Sequence, residues 1–96
     1  MHLSVPSLGA LLLMSVLQPA LAQTCADRPV SARGDSSRFE LLAKAKARGN
    51  WRAKVRVMPT LGAAYADWNR ALAADYRCTR NEAGYVCVAV AHPCRR

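Results

Sequence analysis

Four cysteines in a short chain limit this fold more than any other feature. Cys25, Cys78, Cys87 and Cys94 all lie beyond a leader that reads as an export signal. Residues 8–17 are an apolar run, Pro19 breaks it, and Ala20-Leu21-Ala22 sets small residues at the two positions a signal peptidase reads. Cleavage is therefore expected before Gln23. The apolar run is only about half the roughly 20 residues a membrane-spanning helix needs. Gln23-Thr24 directly before Cys25 does not fit a lipoprotein site, and the leader's only charge-bearing side chain is His2. Residues 1–22 are thus read as a signal peptide and residues 23–96 as one small soluble domain, acting in the periplasm or outside the cell. Such a domain buries only about 60% of the surface its unfolded chain exposes, so covalent staples are expected.

An even set of cysteines in an oxidising compartment reads as two disulfides, with three possible connectivities. Hairpin geometry favours one of them. If Asn81-Glu82-Ala83-Gly84 makes the turn, antiparallel pairing sets Arg80 opposite Tyr85 and Cys78 opposite Cys87, which leaves Cys25 for Cys94. Cys87, His92 and Cys94 lie close in sequence, but the paired spacing of tetrahedral zinc sites is missing. No metal and no cofactor is expected.

The chain between the cysteines has no repeats, linkers or low-complexity tracts. Val30 to Arg33 reads as a short extended segment. After Gly34, Ser37-Arg38-Phe39-Glu40 matches a capping box, so a long helix is expected from near Ser37 to Pro59. Its predicted inner face is Phe39, Leu42, Ala43, Ala53 and Val57, with the Lys46 stem and Asn50 alongside, while Trp51, Val55 and Met58 fall to one side under a further element. In residues 60–76, Leu61, Tyr65, Trp68, Leu72 and Tyr76 recur at helical spacing, with Thr60 available as a cap. The direct reading is a second, shorter helix; the alternative is that residues 71–80 form the first strand of the terminal hairpin. Residues 85–91, rich in β-branched and aromatic side chains and stopped by Pro93, read as the best-defined strand. The expected fold is α+β: a small disulfide-stapled domain whose short antiparallel sheet and C-terminal hairpin pack against one long and one short helix, with Trp51 and Trp68 as core anchors.

The chain carries 14 Lys and Arg against 6 Asp and Glu, a formal charge of +8 that lies wholly beyond residue 22. Such a balance serves solubility, and it also favours anionic partners. From Lys44 to Arg56 there are six cations and no acid. Helical spacing sets Lys44, Arg48, Arg52 and Arg56 on one ridge, where like charges destabilise a helix by a few tenths of a kcal/mol per pair. The plain reading is a solvated face whose stems cover apolar surface. The functional reading is that Lys44, Arg48, Arg52 and Arg56 bind an anion.

Catalysis has little to build on. His92 is the only histidine after the leader, and Ser31, Ser36 and Ser37 come without a nucleophile elbow. The acids Asp27, Asp35, Glu40, Asp67, Asp75 and Glu82 are scattered. No catalytic residue is therefore assigned. Arg33-Gly34-Asp35 spells an adhesion tripeptide but reads as a simple turn before the helix.

As a whole the pattern resembles small exported cysteine-containing proteins of alphaproteobacteria for which no activity is established. The residues that carry the likeness are Ser31-Ala32-Arg33-Gly34, the basic helix leading to Trp51, residues 61–71, Cys78, Cys87 and Pro93-Cys94. The resemblance implies a bacterial envelope setting and a shared fold, and it transfers no functional residue. Two functions are then expected to compete. The first is a non-catalytic binding module for an anionic polymer, an acidic lipid surface or an acidic protein, with nucleic acid not excluded. The second is a small secreted hydrolase or enzyme inhibitor that uses the C-terminal hairpin and His92.

Overall fold

A computed structural model describes residues 23–96; the expected signal peptide, residues 1–22, lies outside them. The elements are β1 (Thr24–Cys25), β2 (Val30–Arg33), α1 (Glu40–Arg56), two single 3-10 turns (Ala63–Tyr65 and Trp68–Arg70), β3 (Leu72–Asn81), β4 (Gly84–His92) and β5 (Cys94–Arg95). The fold is α+β, as expected. A three-stranded antiparallel sheet runs β2-β4-β3, and β1 pairs with β5 in a two-residue ladder.

The disulfides are Cys25–Cys94 and Cys78–Cys87. Each sits across an antiparallel pair, because the register brings Cys25 opposite Cys94 and Cys78 opposite Cys87. The hairpin places Arg80 opposite Tyr85 as read from the sequence. Its turn is tighter than four residues: Asn81 pairs with Gly84, and only Glu82 and Ala83 remain in the loop. The Asn81 side chain accepts a hydrogen bond from the Ala83 amide at 2.9 Å, which fixes that loop. Gly84 has φ 122°, and a Cβ there would overlap the Ser37 carbonyl.

Three expectations for the helical parts are corrected. The helix starts at Glu40 rather than near Ser37, and Phe39 precedes it without a side-chain cap. Ser37 is unavailable as a helix residue because its backbone is committed to the sheet. Its amide donates to the Tyr85 carbonyl at 2.9 Å, and its carbonyl accepts from the Tyr85 amide at 2.7 Å.

The buried face of α1 is Ala43, Ala47, Trp51 and Val55, all fully enclosed. Of the face expected from periodicity only Ala43 is inside; Phe39 is 68% and Val57 78% exposed, and Leu42 and Ala53 also face solvent. The reason is close approach. At Gly34, where the chain leaves β2, a Cβ would stand 2.6 Å from the Ala47 nitrogen, so the backbones touch through alanine and glycine. Large side chains would hold them apart. Gly34→Ala is accordingly expected to cost about 1–3 kcal/mol in urea-monitored unfolding, as overpacking does. A change within about 0.5 kcal/mol would show that the contact relaxes.

The second helix is replaced by the two 3-10 turns, and residues 72–81 are strand, as the alternative reading had it. Gly62 at φ 86° and the Asp67 side chain, which accepts from the Asn69 amide at 2.9 Å, break this stretch into separate turns. Leu61, Tyr65, Trp68 and Tyr76 nonetheless pack on the core, whereas Leu72 is exposed. Trp51 and Trp68 meet edge to face with ring centres 5.1 Å apart.

Candidate anion-binding surface

The two flanks of α1 do different work. On one flank Lys46, Asn50 and Lys54 follow each other at i, i+4, i+8 and all donate to backbone carbonyls of β2 or of the segment that follows it. Lys46 Nζ reaches the Ser36 carbonyl at 3.2 Å, Asn50 Nδ2 the Arg33 carbonyl at 2.9 Å, and Lys54 Nζ the Ser31 carbonyl at 2.8 Å. The Gly34 amide bonds to the Cys87 carbonyl, so in the alternating antiparallel ladder Ser31 and Arg33 turn their polar groups away from β4. Asn50 and Lys54 satisfy the two carbonyls among those groups. This flank is spent on closing the outer edge of β2. Sequence periodicity had put Lys46 and Asn50 on the apolar face.

The other flank carries Lys44, Arg48, Arg52 and Arg56, and here the structure does align the four residues along one side of the helix. The first two converge on Tyr76 of β3. Lys44 Nζ lies 5.7 Å from the centre of the Tyr76 ring and 3.8 Å from Glu40 Oε2. Arg48 Nη1 is 3.4 Å from the Tyr76 hydroxyl, while its Nε is buried without a hydrogen-bond partner. Tyr76 also packs on Trp68, with ring centres 5.2 Å apart. Arg52 is half-buried and Arg56 exposed, and neither joins an ion pair among the described residues. Only two ion pairs form there, Lys44–Glu40 and Arg70–Asp67. Most of the basic side chains therefore keep their charge uncompensated by a direct contact.

A shallow cleft at the tip of the hairpin is lined by Arg38, Arg80, Glu82 and Tyr85, with the Arg80 guanidinium 5.6 Å from the Tyr85 ring centre. Sequence reading missed Tyr76 as the residue on which the cationic flank converges. The signal was present in the hairpin register, which fixes Tyr76, Cys78 and Arg80 on the same face as the buried Cys87 and Ala89.

His92 ends β4, with its Nδ1 2.9 Å from the Ala26 carbonyl. Because a carbonyl only accepts, that nitrogen carries the proton in this contact. Among the described residues no serine hydroxyl is hydrogen-bonded to His92. All four cysteine sulfurs are taken up in the disulfides, and no group of three metal-ligating side chains gathers among the described residues. No helix of the described residues is long and apolar enough to cross a membrane. The two disulfides point to an oxidising compartment outside the cytoplasm. No family model, curated protein or solved structure matches this chain.

Proposed function

We propose that this protein is an exported, non-catalytic binding module for an anionic partner, working in the periplasm or outside the cell after loss of residues 1–22. The observation that carries the reading is the division of labour on α1: one basic flank donates to the backbone of β2 and the segment after it, whereas on the other Lys44 and Arg48 turn to Tyr76, Arg52 and Arg56 join no ion pair, and Glu40 is the only acid paired with any of the four among the described residues. A net charge of +8 on so small a domain adds long-range attraction toward polyanions and acidic surfaces.

The reading predicts affinity that falls steeply with salt. Titrating the protein with polyphosphate between 50 and 200 mM salt should give a linear loss in log affinity. Arg52→Glu with Arg56→Glu touches no contact of the core, so the fold should survive. That pair should lower the magnitude of the salt slope by about 2, and reversing all four charges should abolish binding. Affinity indifferent to salt and to these reversals would remove the proposal.

A further inference from the structure

The sheet has two outer edges, and the chain closes only one of them. Lys54 and Asn50 occupy the carbonyls on the outside of β2. The outside of β3 has no such cover. The Cα atoms of Cys78 and Cys87 are 4.0 Å apart, the narrow spacing of a non-hydrogen-bonded antiparallel pair. The Gly34 amide bonded to the Cys87 carbonyl says the same from the other side, since it turns the polar groups of Cys87 toward β2. By alternation, Tyr76, Cys78 and Arg80 direct their amides and carbonyls away from β4, and β3 has no strand on that side among the described residues. Eight of the ten residues of β3 are exposed.

A free edge of this length is a template for another strand. Charge selects which strand. From Tyr76 to Asn81 the edge holds Arg77 and Arg80 and no acid, with Asp75 and Glu82 at its two ends; Lys44 and Arg48 stand beside Tyr76, and Glu40, 3.8 Å from Lys44, offsets one of those two cations and leaves Arg48 unpaired among the described residues. A second copy centred on Cys78 would set its Arg80 against Tyr76, and hence against Lys44 and Arg48, which repels.

We propose that the open edge of β3 takes an extended acidic polypeptide segment as a fourth strand. The proposal rests on the anion-binding reading and names its partner class. Main-chain hydrogen bonds to Tyr76, Cys78 and Arg80 supply the pairing. Acidic side chains at positions i and i+4 of the incoming strand, roughly 13 Å apart, meet Arg80 at one end and Lys44 with Arg48 at the other. The residue between them, at i+2, lies over the Cys78–Cys87 disulfide and is apolar.

The probe is a capped heptapeptide with glutamate at its second and sixth positions, valine at its fourth and threonine elsewhere, titrated into the oxidised protein by calorimetry. In the antiparallel register its even-numbered amides point at β3 and its odd-numbered amides point away. Methylating the amide nitrogen of position 4 should weaken binding at least tenfold, while methylating position 3 or 5, at unchanged charge, should change it by about twofold or less. Hydrogen exchange at the Tyr76, Cys78 and Arg80 amides should slow at least tenfold on binding. On the protein, Arg80→Pro should bind at least tenfold more weakly than Arg80→Ala. Both lose the charge, but only proline removes the outward amide, and no bond to β4 is broken.

Equal affinity for all methylated peptides, with binding still salt-sensitive, would overturn the edge proposal and leave the cationic flank standing. Failure of both this peptide and polyphosphate to bind would end both readings. Concentration-dependent protection of the same three amides without peptide, with a dimer in sedimentation, would make a second copy the occupant and overturn the acidic strand.

Discussion

Replacing Cys25 and Cys94 together by alanine is expected to cost about 4.4 kcal/mol of unfolding free energy, against about 2.7 for replacing Cys78 and Cys87. The difference comes from the unfolded chain. The first bridge closes a separation of 69 residues and the second only 9, and loop-closure entropy grows with the logarithm of that length. The two double variants are well matched in other respects. Each bridge joins one fully buried cysteine, Cys94 or Cys87, to one half-buried cysteine, so the sulfur volume lost from the core is similar. In the folded state β1 and β5 share just two residue pairs, too few to hold the ends together unaided. A domain of this length has about 4–11 kcal/mol of total stability, so the first variant loses a large part of it. Urea unfolding of both variants, followed by circular dichroism, gives the comparison. If the Cys78/Cys87 variant proved the weaker, the chain-entropy account of these bridges would be wrong.

What the sequence made legible was the part governed by parity and covalent chemistry. The cysteines, the Gly-containing turn and the β-branched run of residues 85–91 together point to the hairpin register and the disulfide pairing. The helical parts were less legible because size patterning competes with closeness of packing. Phe39, Leu42 and Val57 look like an inner face by hydrophobicity, yet Gly34 draws α1 so near the sheet that only Ala43 and Ala47 fit at that end. Residues 60–76 carry helical spacing, but Gly62 and Asp67 divide them into turns and the long β4 recruits residues 72–81 as its second neighbour. The basic run from Lys44 to Arg56 was visible as a charge feature. Its division into a flank that seals β2 and a flank that faces outward was not, because that depends on which carbonyls of β2 lack a strand partner.

Trp51→Ala should be the most damaging single substitution in the molecule, with an expected loss of about 3–5 kcal/mol. The indole is fully buried, and its Nε1 donates to the Val30 carbonyl at 2.9 Å. It therefore ties α1 to β2 through a polar contact as well as through volume. Its ring also receives Trp68 edge-on, and Trp68 in turn supports Tyr76, the residue on which Lys44 and Arg48 converge. Truncation removes the buried end on which this row rests, so the fraction folded at 37 °C should fall sharply. Trp51→Phe separates the contributions. It keeps most of the aromatic volume and deletes the donor to the Val30 carbonyl, a hydrogen bond worth about 0.5–1.5 kcal/mol. Denaturant unfolding of the oxidised variants measures both values. Because the row leads from Trp51 to Arg48, Trp51→Phe should also weaken binding of a polyanion more than Leu41→Ala, an exposed change on the same helix. Equal binding by those two variants would show that the cationic flank is positioned by the helix alone, without the aromatic row beneath it.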